Sequence, residues 1–189
     1  LAAGLSLIFG LMKVLNLAHG SYYLLGGYLG LTVLRFTDSF LLALLGAALG
    51  ITVLGILMER WILRRIYGEP LRQALLTFGF LFIFADISLW IWGGNPQTLP
   101  KPGPFTGSIR MGAIVFPSYR LLVIAVGLVI GVGLWWLQEK TRLGAMLRAG
   151  VDDEEMAKGM GINVSFLFTV VFALGSFLAA VGGIMGGVF

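Results

Sequence analysis

Residues 40–58 read FLLALLGAALGITVLGILM, nineteen consecutive positions without a charged side chain. Coiled as an α-helix, the run is about 28 Å long at 1.5 Å per residue, close to the ~30 Å hydrocarbon thickness of a bilayer. It therefore predicts a membrane-spanning helix, and its length sets the ruler for the rest of the chain.

Other predominantly apolar runs occupy 14–34, 74–92, 119–137 and 166–189, and residues 1–12 form part of another. Joined as one helix, residues 1–34 would reach about 50 Å, too long for one crossing, so they divide into two segments with Lys13 at the boundary. No basic region followed by a small-residue cleavage site opens the chain, so 1–12 reads as the tail of a span rather than a signal peptide. Leu1 and Phe189 both fall in apolar runs, and both ends read as cut. The expected fold is all-α: a polytopic membrane helical bundle of about five spans plus a partial one.

Composition agrees. The chain is 58% hydrophobic and 12% charged, against roughly 25% charged in a soluble domain, and its mean hydropathy is +0.96. The net charge of +4 does not point to nucleic acid, because the basic residues sit in short connections where they set topology. The absence of cysteine and the single histidine exclude disulfides and thiolate metal sites and leave no metal-ligand spacing.

Of the thirteen Lys and Arg residues, Arg60, Arg64, Arg65 and Arg72 lie in the connection 59–73, and Lys140, Arg142, Arg148 and Lys158 in the connection 138–165. Two spans separate these connections, so they share a side, which the positive-inside rule makes cytoplasmic. Residues 93–118 are then outside; they hold five of the six prolines, and IRMGAIVF at 109–116 is their strand-like part. Trp90, Trp92 and Tyr119 are expected at the outer interface and Trp61, Trp135 and Trp136 at the inner one.

There are 28 glycines, about twice the usual ~7%, and many are spaced by four: Gly26/Gly30, Gly46/Gly50, Gly127/Gly131, Gly182/Gly186 and Gly183/Gly187. Small residues at this spacing let helix backbones approach closely in lipid.

Within 138–165 a short helix is expected over 153–160. Asp152 and Glu155 form an acidic variant of a capping box, Val151 and Met156 fit the flanking hydrophobic staple, and Gly161 fits the C-terminal stop. Acidic residues in the first turn and Lys158 in the last suit the helix dipole. Eight residues do not hold a helix alone in water, so a protein partner or the membrane surface must support it. Met156 and Met160 give it one apolar edge of the kind that docks in a groove; an incidental turn in a solvated loop is the alternative.

Polar groups inside apolar runs are costly unless they face a partner or a water-filled cavity. The stretch VLNLAHGSYY at 14–23 carries Asn16, His19 and Gly20, where Gly20 permits the helix to loosen; interrupted helices at depth are where transporters expose backbone to polar solutes. Asn16, His19 and Gly20 are read as lining or shaping such a pathway, against an interhelical hydrogen-bond clamp as the plainer role. Asp86, six residues before Trp92, would lie about 9 Å below the outer boundary. It could meet a cationic group of a solute, or reach outer water or Arg120.

The stretches LAAGLSLIFGLMKVLNLAHGSYYLLGGYLG, MERWILRRIYGEPLRQALLTFGF, WGGNPQ and TRLGAMLRAGVDDEEMAKGMGINVSFLFTVVFALGSFLAAVGGIMGG together resemble the permease family of branched-chain amino acid ABC importers. The resemblance covers essentially the whole chain and differs at Ser21, where many relatives carry an acidic residue. It implies a type II importer-like fold and a cytoplasmic coupling helix. Glu155, Met156, Ala157 and Gly161 match its E-A-A-x-x-x-G pattern with Met for the first Ala, and Asp152 and Met160 flank the match. It further implies a multi-pass protein of a bacterial or archaeal plasma membrane that is not itself an enzyme. The implied partners are ABC ATPase subunits, a second permease subunit in a heterodimer and a substrate-binding protein. Family members are longer than this chain. No GxxxxGK[ST] motif occurs, so ATP is expected to be used by the partner, with no cofactor bound here. The implied cargo is a branched-chain or other hydrophobic amino acid, an amide or urea. An intramembrane enzyme would need a convergent catalytic set that lone His19 and Asp86 do not supply. An ion channel or a structural scaffold would not need a docking helix.

Overall fold

The computed structural model describes residues 1–12, 16–95, 97–103, 107–111 and 114–188. The boundary expected at Lys13, the span start at Val14 and the span end at Phe189 lie outside these residues. The helices are α1 (Ala2–Met12), α2 (His19–Thr37), α3 (Phe40–Trp61), α4 (Pro70–Trp92), α5 (Ser118–Lys140), α6 (Arg142–Asp152), α7 (Glu154–Gly159) and α8 (Val164–Gly186), with a 3-10 turn over Leu63–Ile66. Between α4 and α5, β1 (Ser108–Met111) pairs antiparallel with β2 (Ile114–Pro117), so the strand-like stretch is a hairpin, and the bundle is otherwise all-α.

Local chemistry sets the helix starts. Ser39, Thr141, Asp153 and Asn163 each accept a hydrogen bond from the backbone N–H three residues on, capping α3, α6, α7 and α8. Pro70 opens α4, where its missing N–H costs no helix bond. α2 ends at Asp38, whose φ of 52° lies in the left-handed region that Asp tolerates better than most residues.

Among the described residues, four helices are long and apolar enough to cross a membrane: Phe40–Ile66, Pro70–Trp92, Ser118–Lys140 and Val164–Gly186. The span expected to stop at Met58 continues through Glu59 and Arg60, because Glu59 is buried among polar partners rather than exposed to lipid. The fifth expected span, 14–34, becomes α2, which starts later and is not among the four. Its Gly, Tyr and Thr content serves packing instead: α2 lies against α3, α4 and α8.

α8 is the centre of the bundle, with 56% of its spanning window buried, against none in α5. Small residues make this possible. A Cβ on Gly26 would stand 2.6 Å from Ala180 Cα, one on Gly30 2.6 Å from Ile184 Cγ1, and one on Gly55 2.1 Å from Ser176 Oγ. Gly46 and Gly50 have only ordinary side-chain neighbours, and Gly127 and Gly131 have none within 4 Å. The glycine spacing thus marks the α2–α8 contact and not α5. Two aromatic residues expected at the interface are packed inward. Tyr119 is buried with its hydroxyl on the Met185 carbonyl at 2.7 Å. Trp92 stacks on Tyr28 at 5.0 Å and donates to Thr32.

Candidate functional site

α1 ends at Met12 and α2 begins at His19, and the His19 ring lies level with the middle of α8. A Cβ on Gly4 would lie 2.7 Å from the Gly175 carbonyl oxygen, near the middle of α8, and 3.0 Å from the His19 ring. α2 begins with His19, so the irregular segment ends on Ala18 and the His-Gly part of the stretch is already helical. Gly20 lies in the first turn of α2 without positive φ, exposed, with open space where a Cβ would stand. The expectation that Gly20 loosens the helix is therefore corrected: the neighbouring residues 16–18, not Gly20, leave the helical path.

Asn16 and His19 are 1% and 2% exposed, deep in the bundle. His19 Nε2 donates to the Leu1 carbonyl at 3.2 Å, and the ring meets Tyr22 edge-on at 6.2 Å. His19 Nδ1 and both polar atoms of the Asn16 carboxamide make no hydrogen bond of acceptable geometry. The Asn16 side chain lies beside Tyr22, whose hydroxyl points to Met58 Sδ at 2.9 Å. Buried polar groups are nearly always paired, so a donor and two acceptors left open are unusual for a plain packing clamp. The segment is held from the α4 side, where Thr77 Oγ1 accepts from Leu17 N–H at 3.2 Å and Ser21 Oγ donates to the Leu81 carbonyl.

Asp86 is not part of this cluster. It is exposed on α4 and forms no ion pair with Arg120. Two openings along α8 also lie elsewhere. A 170 Å³ cavity is lined by Tyr23, Gly27, Tyr28, Gln97, Leu99 and Gly187, and a 290 Å³ apolar one lies between α5 and α8. Tyr23 and Gly186 border both.

At the other end of α8 the expected short helix is present with shifted caps. α7 runs Glu154–Gly159, and its N-cap is Asp153, which accepts from Met156 N–H at 2.9 Å. Asp152 is the last residue of α6, and Glu155 does not occupy the capping-box position, which falls to Met156. The reason is that α6, missed in the sequence, consumes residues up to Asp152; its Thr141 cap and the Leu143, Leu147 and Gly150 stripe were the available signal. The C-terminal stop is as expected. Gly161 has φ of 81°, its N–H bonds the Lys158 carbonyl, and Ile162 N–H bonds that of Ala157, both at 3.0 Å. Ala157 is fully buried, whereas Met156 and Met160 are 63% and 64% exposed and form the apolar edge.

In the sequence Glu59 and Arg64 stand only as charges in a connection. In the structure Glu59 is fully buried, accepting from Tyr67 Oη at 2.7 Å, Thr169 Oγ1 at 2.8 Å and Arg64 Nε at 3.4 Å. Burial and the neighbouring Glu59 carboxylate push the Tyr67 phenol well up, so it remains a donor.

The four helices long and apolar enough to cross a membrane define the class as a multi-pass membrane protein. Residues 1–188 match the family described as branched-chain amino acid transport system, permease component, and the chain belongs to that family. It is 26% identical over 200 residues to the high-affinity branched-chain amino acid transport system permease protein of Pseudomonas aeruginosa, covering 99% of this chain and 65% of that protein. With the Escherichia coli protein of the same description it shares 23% identity over 205 residues, 100% of this chain and 66% of the relative. A probable branched-chain amino acid transport permease protein of Methanocaldococcus jannaschii is 27% identical over 194 residues, 97% of this chain and 60% of the relative. The chain thus spans somewhat under two thirds of the length of these relatives. No solved structure matches it.

Proposed function

We propose that this chain is part of the membrane permease of an ABC importer for branched-chain or other hydrophobic amino acids, with ATP hydrolysed by a separate subunit. The family match over residues 1–188 carries the reading. Amides or urea are alternative cargo, and an ion channel or scaffold is the alternative class. The full-length protein pairs with a second permease subunit, receives solute from a binding protein and sits in a bacterial or archaeal plasma membrane. α7 is the docking helix: Met156 and Met160 offer an apolar edge, and Asp152, Glu155, Ala157 and Gly161 shape its ends and its seat. Asn16, His19 and Gly20 belong to the solute path, and Asp86 is the ionisable group nearer its outer mouth.

Asn16→Leu and His19→Leu test the path in the full-length permease assembled with its ATPase and binding protein. Asn16→Leu removes an unpaired buried amide, so thermal stability should hold or rise by about 1 kcal/mol. Transport per folded complex should fall about tenfold, as expected for losing one hydrogen bond to the solute. Unchanged specific transport in both variants, with competing amino acids and urea as cargo, would remove these residues from the path. No ATP-dependent uptake of any of these solutes by the unaltered assembly would overturn the importer reading itself.

The α7 end of the bundle is cytoplasmic in this reading. A cysteine at Gly159, exposed with open space around it, should resist a membrane-impermeant thiol reagent added outside intact cells, whereas one at exposed Lys101 should react. The reverse pattern would invert the topology.

A further inference from the structure

We propose that Glu59, Arg64, Tyr67 and Thr169 form a buried joint that obliges the end of α3 to move with α7 and the start of α8. The proposal rests on the reading of α7 as the ATPase-docking helix and goes beyond it by naming the residues that pass its motion inward.

The joint is built from three parts of the chain. Glu59 lies in the last turn of α3, Arg64 in the 3-10 turn and Tyr67 just after it, and Thr169 in the second turn of α8. Both Glu59 oxygens are occupied: Oε1 by Tyr67 and Arg64, Oε2 by Thr169. Arg64 has a second arm, donating to the Ser165 carbonyl at 3.0 Å and to Thr169 Oγ1 at 2.8 Å. The Thr169 hydroxyl therefore accepts from the guanidinium and donates to the carboxylate, closing a ring of charge-assisted bonds. A carboxylate with no exposure is costly unless such partners surround it, and losing one partner leaves the others mismatched.

The connection to α7 is short and stiff. Only residues 160–163 separate the two helices, and they are crossed by the Ala157–Ile162 bond, the Ile162–Val164 bond and the Asn163 cap. Tyr67 ties the 3-10 side to α8, its ring edge-on to Phe168 at 5.5 Å and its hydroxyl on Glu59. A push on α7 thus arrives at Ser165 and Thr169 with little slack, and a planar guanidinium shared between α8 and Glu59 has few alternative geometries. From there α3 and α8 meet again at Gly55 and Ser176, and α8 packs on α1 beside the His19 ring.

The test uses the full-length permease with its ATPase and binding protein in vesicles, measuring solute moved per ATP hydrolysed. Thr169→Val keeps the shape of the side chain and removes the hydroxyl. It should retain ATPase copurification and basal hydrolysis while the ratio falls about tenfold, and Thr169→Ser should restore the ratio. Tyr67→Phe removes only a phenol oxygen and should lower the ratio in the same direction, which decides the matter where Thr169→Val is lost from the membrane. A plain structural staple would lower the thermal midpoint and leave the ratio of the surviving complexes unchanged, and that result would overturn the joint while leaving the docking reading intact. An ATPase that binds the Gly159→Cys assembly without crosslinking to α7 would overturn the docking reading and the joint with it.

Discussion

Gly183→Ala should destabilise the full-length protein by about 3 kcal/mol, the upper part of the range for forcing atoms into a packed interior. The added methyl would stand 1.9 Å from the Tyr23 carbonyl oxygen and 3.0 Å from Gly27 N, both backbone atoms of α2. No rotamer change relieves such a clash, so α2 and α8 must separate along their length. In lipid, close packing is the main force holding helices together, and the loss is not offset by apolar burial elsewhere. Gly131→Ala on α5 is the matched control: it meets nothing within 4 Å, and alanine's better helix propensity should leave stability equal or raise it by up to about 1 kcal/mol. Thermal unfolding in detergent compares the two. Equal midpoints would mean that α2 and α8 do not approach at this distance.

The second large effect is expected at the end of α7. Gly161 closes the helix at φ of 81°, a conformation in which a β-branched residue is strained by about 1–3 kcal/mol. Gly161→Val should therefore undo the turn that aims α8 back into the bundle. Met156→Asp, 63% exposed in the parent, should leave that turn intact and place a charge on the proposed docking edge. Both should reduce ATPase copurification, by about tenfold for Met156→Asp if the edge is desolvated on docking. Only Gly161→Val should also lower the thermal midpoint. Normal copurification and normal transport in both variants would rule out the docking role.

Much of the fold is legible in the sequence because one-dimensional signals decide it. Most apolar runs became helices near their expected positions, the strand-like stretch supplied two antiparallel strands and Gly161 a helix stop. What failed to show has a common cause: it depends on which residues meet in space. Glu59 and Arg64 look like ordinary boundary charges until Thr169, 110 residues from Glu59 along the chain, supplies the second side of their cluster. Tyr119 and Trp92 look like interfacial aromatics until Met185 and Tyr28 claim them. The Asp153 cap was displaced by one residue because α6, amphipathic and glycine-containing, resembles a loop when read alone.

The exposed thioethers of α7 carry a chemical liability. Met156 and Met160 are strongly exposed, whereas Met58 and Met185 are buried. Peroxide reaching the exposed pair would convert each to the sulfoxide, turning a soft apolar contact into a polar and chiral one. The same two sulfur atoms that give α7 its apolar edge also expose that edge to oxidative damage, reversible by methionine sulfoxide reductases, whenever nothing covers it.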